Sequence, residues 1–182
     1  AKATLIALQA GEYWAVSLWQ RISDITMGAC IAACERMHTR ITLEASAGES
    51  SYRGELAPMV EDLISRHVAE EDGGALVVHG EGKDPPARVR KGDGGFLYAT
   101  TDIAAIRRRV QEFGAHRVIY CVDVRQALHF RQVFAAARKA GYATTADGIE
   151  ASLEHAAFGT ILGTDNKPFK TRSGESVKLQ DL

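Results

Sequence analysis

Hydrophobic positions in the second half of the chain form short continuous runs separated by stretches with helical spacing. The apolar run at 96–99 predicts a buried strand, and the pattern that follows predicts a helix over 103–113. A second continuous run at 117–122 predicts a parallel strand that is buried on both faces, followed by a helix over 124–140. We therefore expect strand, helix, strand, helix over 96–142, which is half of a parallel α/β sheet with right-handed crossovers.

The junction between the first of these strands and its helix carries candidate chemistry. Thr100 or Thr101 is predicted to cap the helix by accepting a backbone hydrogen bond, which puts Asp102 in the first turn, where the helix dipole favours a carboxylate. Ligands of open α/β sheets bind beyond the carboxyl ends of the strands, so Tyr98 and Asp102 are placed as a binding pair. The alternative is that Asp102 only supports the helix start and that Tyr98 belongs to the core.

The helix predicted over 124–140 has two distinct faces. Its apolar face consists of Ala127, Phe130, Phe134 and Ala137, and its polar face of Arg125, His129 and Gln132. Gln132 is a candidate ligand group if its strand neighbours the first one, whereas His129 is interpreted as solvated. Glycines are predicted to end or divide the helices at Gly11, Gly114 and Gly141.

The first half of the chain predicts helices joined to short strands. The first 38 residues contain no proline, and Trp14, Leu18, Ile22 and Ile25 recur at helical spacing, which predicts a packing face. The remaining predicted elements are, in chain order, a strand at 41–43, a loop at 46–54, a helix with Pro58 in its first turn, a charged helix end at 70–72, and strands at 75–79 and 87–90.

Composition narrows the class of protein. A chain of 182 residues with 46% hydrophobic and 25% charged residues is typical of a soluble globular protein with one core. The formal net charge of -1 does not indicate a nucleic-acid binder, although a local patch can still serve. Three consecutive arginines, Arg107, Arg108 and Arg109, spread around their predicted helix and are interpreted as solvated, with phosphate contacts as the alternative. No apolar run has membrane-spanning length, no signal peptide is recognisable, and both ends look cut, so we expect a piece of a longer protein.

The cysteines point to a reducing compartment. Cys30, Cys34 and Cys121 form an odd, low count without C-x-x-C spacing, which is typical of free thiols. Cys30, Cys34 and His38 lie one helical turn apart and could form a metal face. A face of small residues is the favoured interpretation, because no fourth ligand is evident.

The tail contains a second candidate site. A strand is predicted at 152–158, and Lys167, Lys170 and Arg172 follow within six positions of one another, bracketed by glycines. A cationic loop after a strand can hold polyphosphate and neutralise charge that develops in phosphoryl chemistry. The alternative is an ordinary solvated lysine loop.

Four segments in this order resemble arginyl-tRNA synthetase, a class I aminoacyl-tRNA synthetase. They are Gly-Gly-Phe-Leu-Tyr-Ala-Thr-Thr-Asp at 94–102, Asp-Val-Arg-Gln-Ala-Leu-His-Phe-Arg-Gln at 123–132, Phe-Gly-Thr-Ile-Leu-Gly at 158–163 and Lys-Pro-Phe-Lys-Thr-Arg-Ser-Gly at 167–174. The similarity extends over nearly the whole chain, including the loop at 48–52. It implies a Rossmann-type α/β catalytic domain, with 1–95 as its connective part, including helical and β-hairpin segments, and 96–182 as its C-terminal half.

The resemblance also implies the chemistry. Arginine would attack ATP to give arginyl-adenylate and pyrophosphate, and the arginyl group would pass to tRNA(Arg). Tyr98, Asp102 and Gln132 match the residues that recognise L-arginine in the family, and a guanidinium does suit a carboxylate, polar acceptors and an aromatic neighbour. The full-length protein is expected to be a cytoplasmic monomer that takes Mg²⁺ as the ATP complex and holds no protein-ligated metal.

The tail loop matches the family's counterpart of the class I Lys-Met-Ser-Lys-Ser loop but departs from that consensus. Lys170 is the first candidate to meet the ATP phosphates, with Arg172 or Lys167 next, and Phe158 and Gly159 are matched to the adenine pocket. No His-Ile-Gly-His-like signature is present, so the chain alone is expected to bind ATP weakly and to aminoacylate nothing. Two alternatives remain: a stand-alone arginine- or nucleotide-binding module, and a generic α/β nucleotide-binding domain without amino-acid selectivity.

Overall fold

The structure is a computed structural model that describes residues 2–9, 11–80, 82–159 and 162. Within these residues the chain divides into two compact units, one up to residue 47 and one from residue 48 onwards. None of the described helices is long and apolar enough to cross a membrane.

The first unit consists of two helices, α1 (Lys2–Gln9) and α2 (Tyr13–Arg36). Gly11 lies between them with φ +76°, which confirms the predicted division. The predicted packing face of α2 is exposed, at Trp14, Leu18, Ile22 and Ile25. The strand predicted at 41–43 is wrong, because this segment forms turns in which the carbonyls of residues 42 and 43 accept hydrogen bonds from the N–H groups of residues 45 and 46.

The second unit combines an antiparallel sheet, a parallel strand pair and three helices. Its elements are α3 (Arg53–Ser65), β1 (Glu70–Asp72), β2 (Ala75–Val78), β3 (Ala87–Arg90), α4 (Tyr98–Arg107), β4 (Arg117–Asp123), α5 (Ala127–Lys139) and β5 (Ser152–Phe158). Single turns of 3-10 helix precede α3 at Glu49–Tyr52 and α5 at Val124–Gln126, and a π-helical segment follows α4 at Arg108–Glu112.

The antiparallel sheet has the order β1-β2-β3. The charge run at 70–72 is therefore an edge strand and not the solvated helix end that was predicted, with Glu70 opposite Val77. Charged side chains on an edge strand discourage pairing with another chain. Pro58 is also not in the first turn of its helix, because α3 already begins at Arg53.

Strands β4 and β5 are parallel neighbours, paired from Arg117 opposite Ser152 to Asp123 opposite Phe158. The chain crosses from one to the other through α5, which makes a β-α-β unit. Both strands agree with the predicted ranges, so the α/β class with a parallel sheet is confirmed.

The strand predicted at 96–99 is wrong. Phe96 forms only an isolated bridge with Arg90, and Tyr98 is already the first residue of α4. Leu97 is extended at the N-cap position, and its N–H donates to the Thr100 hydroxyl at 3.1 Å. Thr100 is therefore the third helical residue and not the cap, and Asp102 lies just beyond the first turn, where the dipole acts more weakly.

One hydrophobic core joins all parts of the second unit. Its fully buried side chains include Met59, Leu63, Val78, Val89, Ile103, Ile106, Val110 and Val133. The Thr100 hydroxyl is buried in this core and donates to the Val89 carbonyl at 2.6 Å, which ties the start of α4 to β3. Residues on both sides of position 95 share the core, and the predicted division of the catalytic domain at that position stays a prediction.

The three consecutive arginines are engaged by protein groups, so their interpretation as solvated side chains is wrong. Arg107 lies over the Tyr142 ring at 5.7 Å. Arg108 lies over the Tyr52 ring at 4.0 Å and pairs with Glu55. The Arg109 guanidinium donates to the Tyr120 hydroxyl at 2.9 Å.

Candidate functional site

Tyr98 and Asp102 lie one turn apart on α4, so they share a helix face. The Tyr98 side chain is 72% exposed, which rules out the alternative that it belongs to the core. The Asp102 side chain is 30% exposed. This face of α4 thus presents a phenol and a partly shielded carboxylate side by side.

The carboxylate of Asp102 is paired with His129 of α5. The distance between His129 Nε2 and Asp102 Oδ2 is 2.7 Å, and within the described part of the chain no other donor hydrogen-bonds to this carboxylate. The His129 side chain is 25% exposed, and its ring lies edge-on to Phe130 at 5.2 Å. The interpretation of His129 as a solvated residue is therefore wrong, and the partner that it has, 27 positions away, could not be read from helical spacing.

Gln132 lies three positions after His129 and so on the same face of α5. Its amide nitrogen donates to the Pro85 carbonyl at 2.8 Å and to the Pro86 carbonyl at 3.3 Å. The reverse orientation of the amide would set its oxygen against two carbonyl oxygens. The side-chain oxygen, Oε1, is therefore the group that Gln132 can offer to a ligand.

Two separate cavities adjoin the predicted arginine-binding residues. Tyr98 lines one of about 480 Å³, together with the loop at 49–53 and Lys91. Gln132 lines another of about 250 Å³, beside Asp84 and Pro85. The two cavities have no residue in common, and Asp102 lines neither. The structure brings Asp102 to His129, and the convergence of all three predicted residues on one pocket stays a prediction.

The partly buried Tyr120 is close enough to Asp102 for the charge of that carboxylate to act on its phenol. Tyr120 packs against Phe130 with 4.7 Å between ring centroids. Burial raises the pKa of Tyr120 to about 12, and the negative charge of Asp102 acts in the same direction, while the nearby Arg109 opposes it. The phenol of Tyr120 therefore stays protonated at neutral pH.

The carboxyl edge of the parallel strand pair carries the residues matched to the adenine pocket. Phe158 ends β5 opposite Asp123 and is 55% exposed. Gly159 follows it directly, and no atom of the described residues lies within 4 Å of the position that a Cβ would occupy there. The Asp123 carboxylate accepts a hydrogen bond from the Arg125 N–H at 2.8 Å. This edge is open in the way expected of a ligand site in a parallel sheet, and nucleotide binding there stays a prediction.

The cationic residues of the tail loop, Lys167, Lys170 and Arg172, lie outside the described residues. Within the described ranges, no three His, Cys, Asp or Glu side chains are grouped closely enough to hold a metal ion. Cys30, Cys34 and Cys121 are free cysteines.

A family model described as tRNA synthetases class I (R), catalytic domain, matches residues 1–182. The chain belongs to this family. Among curated relatives of this class I synthetase domain, the arginine–tRNA ligases of Shewanella woodyi and Cutibacterium acnes are each 45% identical to it, over 188 and 182 residues. The alignments cover 100% of this chain and 32% of either relative, so the chain spans about a third of their length.

Two solved structures have the same fold as this synthetase domain. The arginyl-tRNA synthetase from Plasmodium falciparum matches with a TM-score of 0.75 at 25% identity, over 87% of this chain and 27% of that one. A putative arginyl-tRNA synthetase from Campylobacter jejuni matches with a TM-score of 0.67 at 19% identity, over 93% and 36% of the two chains. These matches confirm the α/β class I synthetase architecture.

Proposed function

We propose that this chain is a central part of the catalytic domain of an arginine–tRNA ligase. The complete enzyme activates L-arginine with ATP to give arginyl-adenylate and transfers the arginyl group to tRNA(Arg). Membership of the class I (R) family supports this function. The observation that carries it is the carboxylate of Asp102, held at one oxygen by His129 and one helical turn from the exposed Tyr98.

The hydrogen-bonding groups on these helices suit a guanidinium. An arginine side chain carries five N–H donors and no acceptor, so its pocket has to supply acceptors. Asp102 Oδ1 accepts no hydrogen bond from the described residues, and neither does Gln132 Oε1. Both oxygens are therefore available as acceptors. Tyr98 adds a hydroxyl and an aromatic face. A planar set of acceptors discriminates against lysine, whose ammonium is a compact point charge.

ATP is assigned to residues that follow these two helices in the sequence. Lys170 meets the phosphates, assisted by Arg172 or Lys167, and Mg²⁺ enters as the ATP complex. Phe158 and Gly159 line the adenine pocket, for which the exposure of Phe158 and the open space at Gly159 provide support. Cations at these positions stabilise the negative charge that develops as pyrophosphate leaves.

The test is arginine-dependent aminoacylation by the complete protein that contains these residues. Asp102→Asn removes the charge with little change of shape, and we expect kcat/KM for arginine to fall by about a hundredfold, equivalent to roughly 3 kcal/mol. The matched control is Glu70→Gln, which neutralises another histidine-paired carboxylate, 3.1 Å from His79 on the edge strand.

An unchanged KM for arginine in Asp102→Asn would remove the arginine site from this face of α4. Arginine binding without any aminoacylation by the complete protein would favour a binding module that lost catalysis. The chain of 182 residues by itself is expected to charge no tRNA, and charging at a rate near that of the complete protein would contradict the proposal that it is a part.

A further inference from the structure

We propose that His129 is a positioning residue for arginine recognition, which orients the carboxylate of Asp102 before the substrate arrives. This inference rests on the proposed function, because it assigns His129 a role through the arginine-binding residue. It concerns the pair of side chains that joins α4 to α5, with 2.7 Å between Nε2 and Oδ2.

The direction of this hydrogen bond follows from the chemistry of the two groups. A carboxylate can only accept, so His129 Nε2 carries the proton and donates it to Oδ2. The bond fixes the rotation of the carboxylate about its last side-chain torsion, which is otherwise broad. Because each carboxylate oxygen has two lone-pair sites, Oδ1 stays available for a ligand and Oδ2 keeps one site for a second donor.

His129 is itself held in place by the core. Its ring meets the ring of Phe130 edge-on, at an interplanar angle of 79°. Phe130 is 5% exposed and packs between Tyr120 at 4.7 Å and His155 at 4.9 Å. Asp102 is therefore oriented by a side chain that packs against an aromatic cluster, and not by a freely rotating surface side chain.

The same helix also carries the third predicted recognition residue. Gln132 lies one turn after His129, and its amide is fixed by the carbonyls of Pro85 and Pro86. The bond from His129 to Asp102 thus fixes the orientation of the Asp102 carboxylate on α4 relative to the Gln132 amide on α5. A planar guanidinium needs such fixed acceptors, because its donors lie in one plane, and pre-ordering them lowers the entropy lost on binding.

The test uses the complete protein and measures KM for arginine, KM for ATP and kcat separately. His129→Ala is expected to raise KM for arginine about tenfold, as a moderate share of what a hydrogen bond to a charged group provides. KM for ATP and kcat are expected to stay within about twofold, since His129 acts on the residue assigned to the guanidinium, and the carboxylate that attacks ATP is at the other end of arginine. A purely structural role would raise both KM values and would lower kcat and the melting temperature.

Two conservative variants separate positioning from packing. In His129→Gln the amide nitrogen can occupy the place of Nε2 and donate to Asp102, so a near-native KM for arginine is expected. In His129→Asn the amide reaches only the place of Nδ1, so KM is expected to rise as it does in His129→Ala. The control is His79→Ala, which breaks the other described contact between a histidine and a carboxylate, with Glu70, and is expected to change neither KM.

Combining His129→Ala with Asp102→Asn completes the design. If His129 acts through Asp102, the double variant has the same KM for arginine as Asp102→Asn alone, whereas independent contributions would multiply. An effect of Asp102→Asn together with an unchanged KM in His129→Ala overturns this inference and leaves the proposed function standing. If neither variant changes KM for arginine, the proposed arginine site itself is contradicted.

Discussion

Replacing Thr100 by Val should loosen the start of α4 and, with it, the placement of Tyr98 and Asp102. The Thr100 hydroxyl is fully buried, donates to the Val89 carbonyl at 2.6 Å and accepts from the Leu97 N–H at 3.1 Å. Valine has nearly the same shape but offers neither bond. The buried Val89 carbonyl and the partly buried Leu97 N–H would then lose this partner.

The magnitude follows from the burial of the two partners. A buried carbonyl left without a donor costs about 2 kcal/mol, and the partly buried Leu97 N–H adds about 1 kcal/mol. Thr100→Ser keeps the hydroxyl and removes one methyl group, which costs about 1 kcal/mol. The difference of about 2 kcal/mol between the two variants is the cost of the lost hydrogen bonds less that of the lost methyl group, and it corresponds to roughly a thirtyfold ratio.

Hydrogen exchange in the complete protein reads out this local stability without requiring two-state unfolding. Amides in the first turns of α4 are expected to exchange roughly thirtyfold faster in Thr100→Val than in Thr100→Ser. KM for arginine should rise in the valine variant for the same reason. Equal protection of α4 in the two variants would show that the hydroxyl does not hold this helix.

Two further predictions concern the sheets. Arg117 donates to Glu154 through Nε and Nη2, both at 2.8 Å. These bonds, with a further one from Ser152, lower the pKa of Glu154 to about 2. Because this pKa lies below its ordinary value, the stabilisation is present above pH about 4.5 and is lost as the pH falls toward 2. Carboxyl NMR should place the Glu154 pKa near 2, and Arg117→Ala should raise it most of the way toward its ordinary value, since the bond from Ser152 remains; a titration unchanged by that substitution would contradict the pairing. Gly80 lies just after strand β2 of the antiparallel sheet. A Cβ at this position would lie 2.6 Å from the Ala135 Cβ of α5, so Gly80→Ala should destabilise the protein by about 1–3 kcal/mol. Gly54→Ala in α3 has open space and should be neutral or stabilising, so equal melting temperatures of the two variants would refute the clash.

The parts of the fold that the sequence predicted well are those with local causes. The continuous run of β4 and the pattern of β5 required only their own residues to be recognised. Gly11, Gly114 and Gly141 have φ of +76°, +66° and +71°, a region that other residues enter only at an energetic cost. These glycines therefore predicted from the sequence where helices end or divide.

The failures have non-local causes. Four apolar residues at 96–99 are too few to separate strand from helix start, and the outcome depends on the bond from Thr100 to Val89, which no periodicity encodes. The charged run at 70–72 became a strand because β2 was available to pair with it. His129 was misjudged because its partner Asp102 lies on another helix.

The π-helical segment at Arg108–Glu112 contains two of the three consecutive arginines that contact other parts of the second unit. Its wider turn, closed by the Phe113 N–H on the Arg108 carbonyl at 3.1 Å, changes the angular step between successive side chains. Arg108 and Arg109 at the start of this segment reach Glu55 and Tyr120, next to Arg107, the last residue of α4, which lies over Tyr142. Loss of a single residue here would restore regular α-helical winding and turn the residues that follow to other directions, so the number of residues in this segment matters as well as their identity.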